Sequence, residues 1–143
     1  MDLSKNDLTL IGAALYVCEG TKLRTDKWGK DICSIEFTNK DPRLILMFLR
    51  CLREIIGAEE ERIKAELFVY PDLDERRLKQ YWSGITQIPI GRFNQSIVLM
   101  QKNVRFKPNK LGTLKIRYAH KEHFLKLQGI INEVFGKLSG EVA

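Results

Sequence analysis

Three cysteines among 143 residues, Cys18, Cys33 and Cys51, are too few for a disulfide framework; they are odd in number and form no CxxC pair. They lie in apolar segments that read as helix, strand and helix, so reduced, buried thiols are expected. Histidine is scarcer still, with only His120 and His123. No ligand quartet with zinc spacing surrounds that pair, which sits where a helix opens. No run of eighteen apolar residues occurs, and no basic-then-apolar leader, so the expectation is a soluble, cytoplasmic chain without a membrane span. Repeats, linkers and low-complexity segments are absent as well. Residues 1–143 therefore read as one domain, large enough to bury a core without covalent staples.

What is present is an uneven excess of positive charge. The chain carries 24 Lys and Arg against 18 Asp and Glu, a net charge of +6. From 102 to 126 the basic residues are Lys102, Arg105, Lys107, Lys110, Lys115, Arg117, Lys121 and Lys126, against the single acid Glu122. Such concentration is the footprint expected of phosphate contacts, although a solvated basic loop has the same composition.

The periodicities alternate between helix and strand. Residues 8–19 repeat at helical spacing, with Leu8, Ile11 and Leu15 and the small pair Ala14 and Cys18 forming a tightly packing stripe. A short strand near 21–27 and a strand over 31–38 follow, joined by a turn at Trp28-Gly29. In the second, Ile32, Ser34 and Glu36 alternate with Cys33, Ile35 and Phe37. Asp41-Pro42 opens a helix running to Gly57. Residues 62–70 make a strand with Ile63, Ala65, Leu67 and Val69 on one side. A short charged helix spans 74–82, and 83–93 reads as a loop broken by Gly84, Pro89 and Gly91. Trp82, closing that helix, suits packing better than base stacking. Residues 96–106 are ambiguous, 112–118 form a strand, and 121–138 form an amphipathic helix. The order implies an α+β fold with helices on one face of a mostly antiparallel sheet.

One acid stands in an unfavourable place. Glu19 ends the first helix, where the backbone already carries about half a negative charge, so a cation is needed nearby. Gly20 supplies the stop. The small residues Ala14 and Cys18 would let a second copy of the helix approach, and twofold pairing would bring two Glu19 carboxylates together. A hard divalent cation between them would relieve the repulsion.

The segment L-I-G-A-A-L-Y-V-C-E-G-T-K, Leu10 to Lys22, resembles the signature helix of the LAGLIDADG homing endonucleases, which ends in an acidic residue followed by glycine. It departs from that signature at Gly12, where a leucine is usual, and at Val17, where an acid is. The element order resembles the family's αββαββα core over nearly the whole chain, with an inserted helix and loop at about 74–93. There, W-S-G-I-T-Q-I-P-I-G-R-F resembles a segment of stand-alone prokaryotic members.

The resemblance implies a saddle-shaped sheet lying on double-stranded DNA and a homodimer that cuts it, a hydrolase acting on phosphodiester bonds with Mg2+ or Mn2+. Glu19 would bind the metal, whose water attacks phosphorus. Asn39 and Arg43 in T-N-K-D-P-R and Arg117 in L-K-I-R-Y fall where the family keeps its supporting polar and basic groups. Asn39 would orient the water; Arg43 and Arg117 would stabilise phosphate charge. Ala14 and Cys18 would form the dimer interface. Arg24, Lys27, Lys30, Lys64 and Glu66 on outward strand positions, with Lys107, Lys110 and Lys115 of the basic stretch, would face the nucleic acid. Taken singly, Asn39 is better explained as a turn former, Arg43 as a helix-surface cation and Arg117 as a solvated strand-edge residue. Two other functions fit the same fold: a regulator that binds DNA without cutting it, and a maturase acting on intron RNA.

Overall fold

The first helix begins earlier than its apolar repeat suggests because its cap is polar. Ser4 and Asp7 form a capping box, the Asp7 N–H donating to Ser4 Oγ at 3.1 Å and the Ser4 N–H to Asp7 Oδ2 at 2.9 Å. The computed structural model, which describes residues 1–100 and 110–138, accordingly places α1 at Lys5–Glu19. Its buried positions are Leu8, Gly12, Ala13 and Tyr16. Ala14 and Cys18 are exposed, so the stripe read as tightly packing faces outward within one chain. The close approach is instead made at Gly12, where an added Cβ would lie 2.1 Å from Cys51 Sγ on the second helix. That contact explains why position 12 is a glycine.

Gly20 ends α1 for a similar reason. Its backbone is extended, with φ −80° and ψ 157°, so no left-handed stop is involved. A Cβ there would lie 2.3 Å from the Tyr16 ring, and the Gly20 N–H donates to the Tyr16 carbonyl at 2.8 Å. The chain then joins the sheet edge: Gly20 bridges to Phe37, and the Thr21 N–H donates to the Glu36 carbonyl at 3.0 Å.

β1 (Arg24–Thr25) and β2 (Asp31–Ile32) make a two-stranded ribbon, shorter than the strands expected. β3 (Ser34–Asn39) follows without a loop. Asp41 caps α2 (Pro42–Cys51), with Pro42 in its first turn as the sequence predicts. The helix continues through a wider π-turn, Leu52–Ile56, and stops at Gly57. β4 (Lys64–Val69) buries Ala65, Leu67 and Val69 on one side, as its alternation requires. α3 (Glu75–Thr86) runs four residues past the expected end, because its left-handed cap is Gln87 and Gly84 lies within it. β5 (Ile97–Val98), β6 (Thr113–Ala119) and α4 (Lys121–Leu138) complete the described residues.

The main sheet has the order β3-β6-β4-β5, antiparallel except for the parallel β4–β5 pair, and the fold is α+β. Ile35, Phe37, Ala65, Leu67, Leu114, Ile116 and Tyr118 on one face join Tyr16, Phe48, Leu49, Trp82, Phe124 and Leu127 from the helices in one continuous core. Among the described residues, no helix is long and apolar enough to cross a membrane.

Candidate nucleic-acid interface

Because side chains alternate along a strand, burying one sheet face commits the intervening residues to the other. The register places Glu36 beside Arg117 and Thr38 beside Lys115 across β3 and β6, and Arg117 beside Lys64 and Lys115 beside Glu66 across β6 and β4. Lys64, Lys115 and Arg117 therefore share the face opposite the helices, and Arg24 reaches it from the ribbon. Four of the expected nucleic-acid or catalytic cations are thus brought together.

Three of them, Arg24, Lys115 and Arg117, are arranged around a residue that charge patterning alone did not single out. The Glu36 side chain is only 2% exposed and faces Arg24 Nη2 at 2.6 Å, Lys115 Nζ at 3.2 Å and Arg117 Nε at 4.0 Å. Burial by itself raises its pKa, but the hydrogen bond and charge of Lys115, with the charge of Arg24, outweigh this and hold the carboxyl below its ordinary value. The carboxylate restrains the long cationic side chains it pairs with, Arg24 and Lys115 most closely. The strand alternation already placed Glu36 with Ser34, away from the apolar set; the missing signal was the cross-strand register.

A depressed folded-state pKa gives stability that is present above the unfolded-state value and lost as pH falls through the folded one. Glu36 should therefore contribute at neutral pH and lose that contribution below its ordinary value of 4.5. Urea denaturation of wild type and Glu36→Gln across pH 3 to 7, a span of about 4 units around carboxylate titration, should show their stability difference shrinking as the solution is acidified. A difference constant with pH would mean that the carboxylate is not preferentially ionised in the fold.

Beside Lys64 and Arg117 the surface forms a groove of about 470 Å3, lined also by Glu61, Arg62, Asn94 and Ala119. Arg62, which the sequence did not point to, pairs with Glu59 at 3.2 Å and donates to the Ala119 carbonyl. Its position at this rim depends on β4 and β6 being neighbours, which no local pattern reveals.

The other expected residues are distributed as follows. Glu19 is exposed, and among the described residues no ion pair engages it. The cation demanded by the helix end is Lys22, whose Nζ donates to the carbonyls of Val17 at 2.6 Å and Tyr16 at 3.2 Å. Glu19 is tied to the charged face through the chain: Gly20 bridges Phe37, and Phe37 is paired with Ile116, next to Arg117. Two strand spacings of about 4.8 Å separate those backbones. Asn39 ends β3, its Oδ1 accepting from the Asp41 N–H at 2.8 Å. Arg43 forks onto Asp41, with Nε to Oδ1 at 3.1 Å and Nη2 to Oδ2 at 2.8 Å, and is 89% exposed. Asp41 correspondingly lies below, and Arg43 above, its ordinary pKa, chiefly through that hydrogen bond.

Lys27 and Lys30 flank the tip of the ribbon, and Lys110 is exposed in the turn before β6. Lys107, with Lys102 and Arg105, falls outside the described residues. Of the thiols, Cys51 is buried and Cys33 half-buried, but Cys18 is exposed, contrary to expectation, because α1 turns Gly12 rather than Cys18 toward α2. Burial raises the Cys51 pKa to about 11. His120 opens α4, its Nδ1 accepting from the His123 N–H at 3.1 Å. No protein-family model matches the chain, and neither the curated proteins nor the solved structures give a match.

Proposed function

We propose that this protein is a LAGLIDADG-type homing endonuclease, acting as a homodimer that binds double-stranded DNA on the open sheet face and cuts it with Mg2+ or Mn2+. The observation that carries the reading is the assembly of Arg24, Lys115 and Arg117 around the buried Glu36 carboxylate, with Lys64 beside Arg117 on the same face, opposite the helices. Cations held in place on a pleated surface meet phosphates without first losing side-chain freedom. In this reading Glu19, at the helix end joined to that face, supplies the carboxylate.

Carboxylate oxygen is the donor that a hard divalent ion prefers. In this reading one chain brings one such group, the Glu19 carboxylate. A second copy, paired along the outward stripe of α1 at Ala14 and Cys18, supplies the other. The bound ion would contribute an ionised water and charge neutralisation at phosphorus. Arg117 contacts the scissile phosphate, and the basic face holds the duplex in register.

A second reading, a regulator that binds DNA without cutting it, is favoured by one specific observation. Asn39 and Arg43, the groups that would support the chemistry, are both engaged with Asp41. Incubating the protein with a pool of host genomic fragments separates the two. Recovery of bound fragments in calcium and of defined cut ends in magnesium is the result expected of the nuclease. Binding in both ions without cut ends leaves the regulator, and binding in neither removes both.

A further inference from the structure

The chain has two tryptophans, and the fold uses only one of them. Trp82 is fully buried, whereas Trp28 is 78% exposed at the tip of the β1–β2 ribbon. That tip is tightly built. Asp26 Oδ1 accepts from the N–H groups of Trp28 at 2.8 Å and Lys30 at 3.0 Å. The Asp26 N–H donates to the Lys30 carbonyl at 2.8 Å, and the Gly29 N–H to the Asp26 carbonyl at 3.0 Å. Lys27 Nζ lies 4.6 Å from the centre of the indole, and Lys30 is exposed on the other side of the turn. At its base the ribbon is anchored to the charged face through Arg24 and Glu36.

We infer that Trp28 is a base-contacting residue: the ribbon enters a groove of double-stranded DNA, and the indole packs on the bases there. The inference rests on the DNA-binding reading and deepens it. Exposing so large an apolar ring on a hydrogen-bonded turn does nothing for the core, and the side chain over the ring is the Lys27 cation. A protein partner would be expected to meet a wider apolar patch, since single exposed rings make poor interfaces. A duplex groove suits the geometry: a two-stranded ribbon fits the major groove, the flanking lysines reach phosphates, and the aromatic tip faces the bases. The lysines carry no sequence information; the ring is placed where it does.

The two contributions differ in salt dependence, which makes the inference testable. Phosphate contacts release counterions and base contacts do not. Binding of wild type, Trp28→Ala, Trp28→Phe and Lys27→Ala to short mixed-sequence duplex DNA would be measured in calcium over a series of salt concentrations. Trp28→Ala should bind about tenfold more weakly with an unchanged salt slope. Trp28→Phe should recover part of that loss, and Lys27→Ala should lower the slope by about one. On binding, the Trp28 emission should become protected from acrylamide, while the buried Trp82 reports that each variant remains folded. Equal affinity of Trp28→Ala and wild type, or a bound complex in which Trp28 stays open to quencher, overturns the inference and leaves DNA binding intact. No binding by the wild-type chain overturns both.

Discussion

Trp82→Ala should destabilise the fold by about 3–5 kcal/mol, the cost typical of removing a large aromatic side chain from a packed core. Trp82 is 0% exposed, and its Nε1 donates to the Leu111 carbonyl at 2.8 Å. The substitution leaves both a cavity and an unpaired carbonyl, the latter adding about 1 kcal/mol or more. Natural domains have only about 5–15 kcal/mol in total, so the variant should populate unfolded chain at temperatures where wild type does not. Urea denaturation should show a much lower midpoint with an unchanged slope. Trp82→Phe keeps most of the volume and loses the hydrogen bond, so a small effect there beside a large one for Ala would assign the cost to packing. A near-wild-type midpoint for Trp82→Ala would contradict its place in the core.

Ala14→Arg should leave the protomer folded and remove both dimer and cleavage. The position is exposed on α1, and in one chain the packed side of that helix is the one carrying Leu8, Gly12 and Tyr16. In a twofold pairing along the outward side, each copy presents the same residue at the crossing, so one substitution acts twice. An arginine there adds bulk where small residues meet and buries an unpaired charge. If each copy loses about 1.4 kcal/mol, the dissociation constant rises roughly a hundredfold. Sedimentation at micromolar concentration should then give the monomer mass for the variant and the dimer mass for wild type. Two dimers of equal stability would place the interface on another surface.

Sequence and structure agree where a local pattern has one physical solution. Asp41-Pro42 has the chemistry of a helix start and nothing else, and Ile63, Ala65, Leu67 and Val69 can share a side only in a strand; both elements are observed. Gly84 misled because a glycine in a helical run resembles a stop, while the left-handed position was taken by Gln87. The start of α1 was hidden because a capping box is polar and apolar periodicity cannot see it. Cys18 and Gly12 show the limit of periodicity on a short amphipathic helix: both faces carry small residues, and only the position of α2 decides which is covered. The same holds at the candidate site. Glu19, Lys64 and Arg117 are visible one at a time, but Glu36 gains its significance from register, because Arg24 comes from β1 while Lys115 and Arg117 come from β6, the strand beside its own. Trp28 passed as a turn residue because exposure is a property of the fold and not of the dipeptide.

The role of Glu19 in cutting is read by comparing wild type with Glu19→Gln on the duplexes recovered by binding in calcium. The substitution removes the charge of an exposed side chain and little volume, so folding and binding should be unchanged. In magnesium, discrete double-strand cut ends are expected from wild type and none from Glu19→Gln, with both proteins retaining the same fragments. Cutting at equal rates by the variant would remove Glu19 from the chemistry.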